Sequence, residues 1–333
     1  MTFNTSTIFP QTRLRRTRLN QNIRDMVSET NISTKDLVWP IFIREESITS
    51  EIKGFFDVKR YSINELDIVC KEALDLGIPA LGLFPYTHES ERTENGENAI
   101  NPDNLLCRSI RYIKSKYPEL ILIADVALDP FTSHGHDGII INDYVDNDKT
   151  IEVLKKQSLN YAMSGVDIVA PSDMMDGRIG IIRDTLEKNG FKNTIIMSYS
   201  AKYASSFYGP FRNAVGAPKL PKSLEDKSSY QMDFRNTKEA ITEALQDINE
   251  GADIIMVKPG LPYLDIIEKI TRSLNIPVAT YQVSGEYSMI KAASQQGLIN
   301  EEKAVMESII SLKRAGARMI FTYFAPLVAK ILK

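Results

Sequence analysis

Glu250-Gly251-Ala252-Asp253-Ile254-Ile255-Met256-Val257-Lys258 contains the unit from which this chain is built. A helical pattern ends at a glycine, two residues follow, and an apolar run begins. The glycine sits where a helix C-terminus calls for a left-handed residue. The same joint recurs at Leu76-Gly77-Ile78-Pro79, Ser164-Gly165-Val166-Asp167 and Ala315-Gly316-Ala317-Arg318. Strand-like runs at 37–43, 80–86, 120–128, 167–171, 194–200, 253–258, 277–283 and 318–324 alternate with helical patterns at 101–117, 150–164, 237–250, 262–274 and 301–315. The runs are apolar almost throughout, with little period-two alternation, as in strands covered on both faces by helices. Eight such strands favour a (β/α)8 TIM barrel. The runner-up, a doubly wound open sheet, should carry a glycine-rich loop after its first strand. Here Ile41-Phe42-Ile43-Arg44-Glu45-Glu46 follows instead.

Composition narrows the function. The chain has 333 residues, 43% of them hydrophobic, enough for a large core. A formal net charge of -3 argues against a nucleic-acid binder of the basic kind. No apolar run approaches the roughly 18–20 residues of a membrane span. Two cysteines, Cys70 and Cys107, lie in helical stretches and read as core residues of a protein in a reducing compartment. Residues 1–24 contain no acid but carry Arg13, Arg15, Arg16, Arg18 and Arg24. Composition alone leaves open a transit peptide or a polar arm packed on a neighbouring subunit.

Two strand ends carry the chemistry. Thr194-Ile195-Ile196-Met197-Ser198-Tyr199-Ser200-Ala201-Lys202 and Asp253-Ile254-Ile255-Met256-Val257-Lys258-Pro259-Gly260 each finish an apolar run on a lysine. In a barrel the reactive groups gather at the C-terminal strand ends. There the sequence aligns Asp125 and Asp129, Ser172 and Asp173, Lys202, Lys258, Ser284 and Tyr323. A lone lysine at a strand end is usually a snorkelling side chain. Two on adjacent strands suggest paired amines that form Schiff bases with carbonyl substrates. A free lysine is neutral in only about one molecule in 2,500 at pH 7, so each amine needs burial or a second ammonium to react. Residues 203–233 follow Lys202 and far exceed an ordinary βα connection, which points to an active-site lid. The segment Asp125–Gly138 holds His134 and His136 among three aspartates. It is either a site for a hard cation or for proton transfer, or a polar loop held by its own hydrogen bonds.

The chain resembles the porphobilinogen synthase (5-aminolevulinate dehydratase) family over nearly its whole length. The resemblance rests on Thr132-Ser133-His134-Gly135-His136, Ala170-Pro171-Ser172-Asp173-Met174-Met175-Asp176-Gly177-Arg178, Met197–Ser205, Phe207-Tyr208-Gly209-Pro210-Phe211-Arg212, Met256-Val257-Lys258-Pro259-Gly260 and Tyr281-Gln282-Val283-Ser284-Gly285-Glu286-Tyr287. It implies a cytoplasmic lyase of tetrapyrrole synthesis that condenses two 5-aminolevulinate molecules to porphobilinogen with loss of two waters. It also implies an arm at 1–32 that assembles a homo-octamer, and a catalytic barrel at 33–333. By resemblance, Lys258 holds the propionate-side substrate and Lys202 the acetate-side one. Ser284 and Tyr323 bind the first carboxylate. Arg212 and a lid lysine, Lys227 or alternatively Lys222, bind the second. Asp125 matches a residue assigned to proton transfer. Zinc-using relatives have three cysteines where this chain has Ala127, Asp129 and Asp137. The resemblance therefore implies no active-site zinc and an aspartate-type branch in which Asp129 and Asp137 are candidate cation ligands. In that branch Glu243 matches an allosteric magnesium position, sometimes with a monovalent cation besides. Another Schiff-base barrel, such as a class I aldolase, and a non-catalytic barrel scaffold are the competing readings. Aldolases of that class generally need one essential lysine.

Overall fold

A computed structural model describes residues 8–218, 220–221 and 224–333. The strands are β1 (Leu37–Ile43), β2 (Arg60–Tyr61), β3 (Ala80–Pro85), β4 (Ile121–Val126), β5 (Ile139–Ile141), β6 (Tyr144–Asp146), β7 (Ile168–Pro171), β8 (Ile195–Lys202), β9 (Ile254–Lys258), β10 (Val278–Gln282) and β11 (Met319–Thr322). The helices are α1 (Gln21–Met26), α2 (Leu66–Leu76), α3 (Leu105–Lys116), α4 (Asn147–Met163), α5 (Arg178–Lys188), α6 (Gly209–Val215), α7 (Lys238–Asn249), α8 (Leu264–Ser273), α9 (Ser284–Gln295), α10 (Glu301–Arg314) and α11 (Ala325–Ile331).

Eight parallel strands run in the order β1-β3-β4-β7-β8-β9-β10-β11, and β11 returns to β1 through the pairs Leu37↔Ile320 and Val38↔Phe321. This is the closed (β/α)8 barrel that the repeated joints predict. Gly77, Gly165, Gly251 and Gly316 all take positive φ, at 70°, 96°, 105° and 117°. A side chain at these positions would strain these four helix-to-strand connections. All of β1, β3, β7, β9 and β10 is buried, which is why the sequence lacks alternation. Inside the barrel an aromatic cluster of Phe42, Phe55, Phe84, Tyr281, Tyr287 and Tyr323 fills the volume on one side of the mouth.

Two connections are richer than their sequences suggest. The β4–α4 connection carries an antiparallel hairpin, β5–β6, turned at Asn142 and Asp143 with φ of 51° and 56°. The segment 203–233 begins as a continuation of the sheet, since Tyr203 pairs with Met232, and then carries the short helix α6. The residues from Ile8 to Asp36 form only two 3-10 turns and α1, and none of the three buries a residue within this chain. Among the described residues, no helix is long and apolar enough to cross a membrane.

Candidate active site

The two lysines are register partners. In the β8–β9 pairing Met197 faces Ile254 and Ser198 faces Ile255, but Ala201 faces Val257 and Lys202 faces Lys258. A bulge sets Tyr199 and Ser200 against Met256 alone. An uninterrupted pairing would put Lys202 opposite Pro259, on the other face of the sheet, because side chains alternate. The extra residue therefore turns Lys202 into the barrel mouth beside Lys258. Both lysines are buried.

Their surroundings differ. The Lys258 amine sits among four rings, 4.7 Å from the centroid of Tyr281, 4.9 Å from Phe211, 5.1 Å from Tyr199 and 5.4 Å from Tyr208. Burial in this box, then the Lys202 ammonium, depress its pKa to about 7. The Lys202 amine instead donates to the carbonyl of Ser172 and lies 3.8 Å from Asp137 Oδ2.

The acids at the β4 end are not equivalent. Burial raises the Asp125 carboxyl to about 7 against the pull of Lys258, and its Oδ1 has no hydrogen-bond partner. Asp129 is also raised, chiefly by burial, with Lys227 opposing. Burial would raise Asp137 too, but Lys202 and Lys227 together hold it near 2. The Lys227 ammonium lies between the pair, 3.2 Å from Asp129 Oδ2 and 3.1 Å from Asp137 Oδ2. Burial opposes its charge, and the two carboxylates more than offset that. No other acid, histidine or cysteine completes a set of three metal-ligating groups here among the described residues. An organic cation fills the position between two carboxylates, so these residues do not fit a divalent ion.

Lys227 belongs to the segment after Lys202, which folds back over the site. His136 Nε2 donates to the Leu224 carbonyl at 3.1 Å, and its Nδ1 lies 3.0 Å from the Tyr230 hydroxyl. That hydroxyl also accepts from the Asp137 amide at 3.2 Å. Burial lowers the pKa of both His134 and His136, which suits neutral rings; His136 fastens the segment to the β4–α4 connection, while His134 donates to the Glu94 carbonyl and accepts from the His136 amide. The sequence left the histidines between two readings, and here they serve the polar loop. Of the two lid lysines, Lys227 points into the site and Lys222 lies outside the described residues.

Ser284 opens α9; its hydroxyl accepts from the Phe211 amide at 3.1 Å and lies 3.3 Å from the Phe207 carbonyl. At the next residue, Gly285, a methyl group would come 2.6 Å from the Phe207 carbonyl oxygen, so only glycine lets the lid rest on α9. Tyr323 lies within the aromatic cluster with its hydroxyl 2.8 Å from that of Tyr281. Arg212 is exposed on α6 and lines, with Lys227 and Gln231, both the space beside the lysines and an outer chamber. The inner space is about 30 Å³ and the chamber about 600 Å³. Glu243 lies apart, on α7. Burial raises its pKa to about 7, and Asp247, Asp176 and Glu239 add to that against Arg178.

Sequence reasoning did not single out Tyr199, Tyr208, Phe211 and Tyr281, which surround Lys258. Two of them come from the lid, where only the fold shows what they touch. It also passed over Glu286, a buried carboxylate that accepts from the amides of Gly260, Leu261 and Val283 and so fixes the backbone just beyond Lys258. Both cysteines are free and buried, and burial raises each thiol, Cys70 to about 12.

Comparison with known proteins is consistent over the whole chain. A family model described as delta-aminolevulinic acid dehydratase matches residues 11–331. A delta-aminolevulinic acid dehydratase of Bradyrhizobium diazoefficiens is 48% identical over 322 residues, 96% of this chain and 91% of that protein. The chloroplastic delta-aminolevulinic acid dehydratase of Pisum sativum is 48% identical over 313 residues, 93% of this chain and 78% of that one. The crystal structure of the Toxoplasma gondii enzyme in complex with the reaction product porphobilinogen superimposes with a TM-score of 0.94 at 43% identity, covering 96% of this chain and 91% of that one.

Proposed function

The chain belongs to the delta-aminolevulinic acid dehydratase (porphobilinogen synthase) family, and from that premise we propose how its own residues divide the work. The protein is a lyase that condenses two 5-aminolevulinate molecules into porphobilinogen. In our reading Lys258 forms the Schiff base with the substrate that becomes the propionate side, and Lys202 takes the acetate-side substrate. The observation that carries this reading is the register pairing of two buried amines, Lys202 beside Lys258. Lys258 supplies a neutral amine near pH 7, as nucleophilic attack on a ketone requires. Asp125, with a raised pKa and a free oxygen, exchanges protons with the reacting carbon or nitrogen. Ser284 and Tyr323 receive one carboxylate, and Arg212 with Lys227 receives the other as charge-assisted partners. An inner space of about 30 Å³ holds about one water, so substrates enter only when the lid shifts and Lys227 leaves its aspartates.

We assign magnesium to Glu243 on the family resemblance, although no set of three ligating groups forms there either among the described residues. Asp247, Asp176 and Glu239 disfavour a charge on Glu243 against the pull of Arg178, and a hydrated magnesium ion is commonly held by one or two carboxylates. Bound there, the ion would neutralise that repulsion and act as an allosteric activator, without touching the substrate. The exposed apolar residues of the arm, Phe9 at 73%, Leu19 at 73% and Met26 at 86%, support its packing on a second copy within a homo-octamer. The free buried thiols agree with a reducing compartment, and we assign the cytoplasm.

Borohydride trapping with 5-aminolevulinate followed by peptide mapping tests the central reading. Adducts are expected on Lys258 and, at higher substrate, on Lys202. Modification of neither lysine overturns it. Activity lost on chelation should return with magnesium and not depend on zinc.

A further inference from the structure

The bulge that brings Lys202 beside Lys258 has a dedicated support outside the barrel. Arg178, the first residue of α5, is buried on all sides. Its Nη2 donates to Ser198 Oγ at 3.1 Å, on the last residue paired before the slip, and to the Tyr199 carbonyl at 3.5 Å, on the first residue of the bulge. Its Nη1 donates to the Met175 carbonyl at 3.1 Å. Both terminal nitrogens lie 3.4 Å from the carboxylate of Asp247 on α7, and Asp247 Oδ2 accepts from the Ser198 hydroxyl at 2.5 Å. On its third side Arg178 Nε lies 3.6 Å from Asp173 Oδ2. One guanidinium therefore ties together the bulge, the loop after β7 and the helix after the lid.

The loop it ties is the one that holds the Lys202 amine. Ser172, whose carbonyl accepts from Lys202, directly precedes Asp173. Asp173 Oδ1 accepts from the Met175 amide at 2.8 Å, across a Met174 held at φ 71°. A non-glycine residue in that region is strained and persists only where the surroundings hold it. Arg178 thus fixes Lys202 twice, at the backbone that aims the side chain and at the loop that receives the amine. Of these contacts only the one to the Tyr199 carbonyl bears on a residue of the Lys258 box, and Lys258 is held besides by Tyr208, Phe211, Tyr281 and the Glu286 clasp.

We infer that Arg178, with Ser198 and Asp247, is a positioning unit chiefly for Lys202, keeping the bulge in the register that brings the two amines together. This rests on the reading of Lys202 as the second amine. Removing one partner from a buried ion pair leaves an uncompensated charge, so deep truncations of Arg178 threaten folding itself. Ser198→Ala is milder, because it deletes one hydroxyl and leaves Arg178 and Asp247 paired. Arg178→Lys keeps the charge, but three donors on one nitrogen cannot serve the five acceptor atoms that the planar fork spans.

The test is borohydride trapping with 5-aminolevulinate on the full-length wild type, Ser198→Ala and Arg178→Lys, with adducts at Lys202 and Lys258 quantified separately. Thermal unfolding is followed alongside. The expected result is a Lys202 adduct reduced about tenfold relative to the Lys258 adduct, and kcat reduced about 10- to 100-fold, as misplacement of a reacting group produces. Equal loss of both adducts, or an unchanged ratio in folded Ser198→Ala, overturns the positioning role. A wild type with no Lys202 adduct overturns the second-amine reading instead, and this inference with it.

Discussion

Lys202 and Lys258 are the same residue type, on adjacent strands, at paired positions, and yet they stand in opposite kinds of environment. The Lys258 amine is enclosed by Tyr199, Tyr208, Phe211 and Tyr281, with no carboxylate hydrogen-bonded to it. The Lys202 amine rests on the Ser172 carbonyl and faces an aspartate that a lid lysine also holds. The difference teaches that a pair of amines need not be activated alike. In the proposed division of work, the site of low polarity makes a resident nucleophile, and the one set among charges holds a second, anionic molecule in register with the first.

The comparison predicts a hierarchy. Lys258→Ala should lower kcat on the order of 10⁴-fold or more, as loss of a covalent nucleophile does, with a normal melting temperature. Lys202→Ala should cost less, roughly 10²-fold, and still yield a borohydride adduct at Lys258. Its pH profile should also move. Below pH 7 Lys258 is protonated in the wild type, so kcat/KM falls on the acid side with an apparent pKa near 7 that the Lys258–Asp125 pair shares. The Lys202 ammonium depresses that value, so its removal should carry the acid limb to higher pH. A limb that stays or moves down would show that the two amines do not feel each other.

Asp137→Asn tests the polar side. It takes away one anchor of Lys227 and a neighbour of Lys202, so KM should rise about tenfold, and protease should cut the lid more readily. The smallest effect is expected from Phe211→Leu, which keeps Lys258 in apolar surroundings but removes one ring face. A cation–π contact favours the ammonium by about 0.5–1 kcal/mol, so the acid limb should fall by roughly 0.4–0.7 units. That shift is opposite in sign to the one from Lys202→Ala, which lets one titration series separate the two influences.

Much of the fold was legible because its rules are local. The glycines at 77, 165, 251 and 316 mark helix ends whatever the tertiary context, and the buried strands announce themselves by unbroken apolar runs. Helix α6 was missed although its signals were present. Pro210 in the first turn and Gly216 at the left-handed C-cap bound it inside the long connection. The β5–β6 hairpin likewise had Asn142-Asp143 at its turn, a pair that tolerates positive φ. In the site, the two lysines and Lys227 could be named from the chain. The aromatic box could not, since the lid and two strands supply it from positions far apart. The bulge could not either. Nothing in Ser198-Tyr199-Ser200-Ala201 distinguishes it from an ordinary buried strand, and its cause, Arg178, lies on another element.

The bulge also limits what this chain can become. Tyr199 and Lys202 both reach the barrel mouth although they are three positions apart, which an evenly alternating strand forbids. Substitutions at Ser200, a buried side chain with no hydrogen-bond partner, leave that spacing intact. Loss of a single codon between Ser198 and Lys202 would not. Every residue of the second amine's neighbourhood would still be encoded, and the amine would point into the helical layer. For this segment the count of residues is inherited as strictly as the lysine itself.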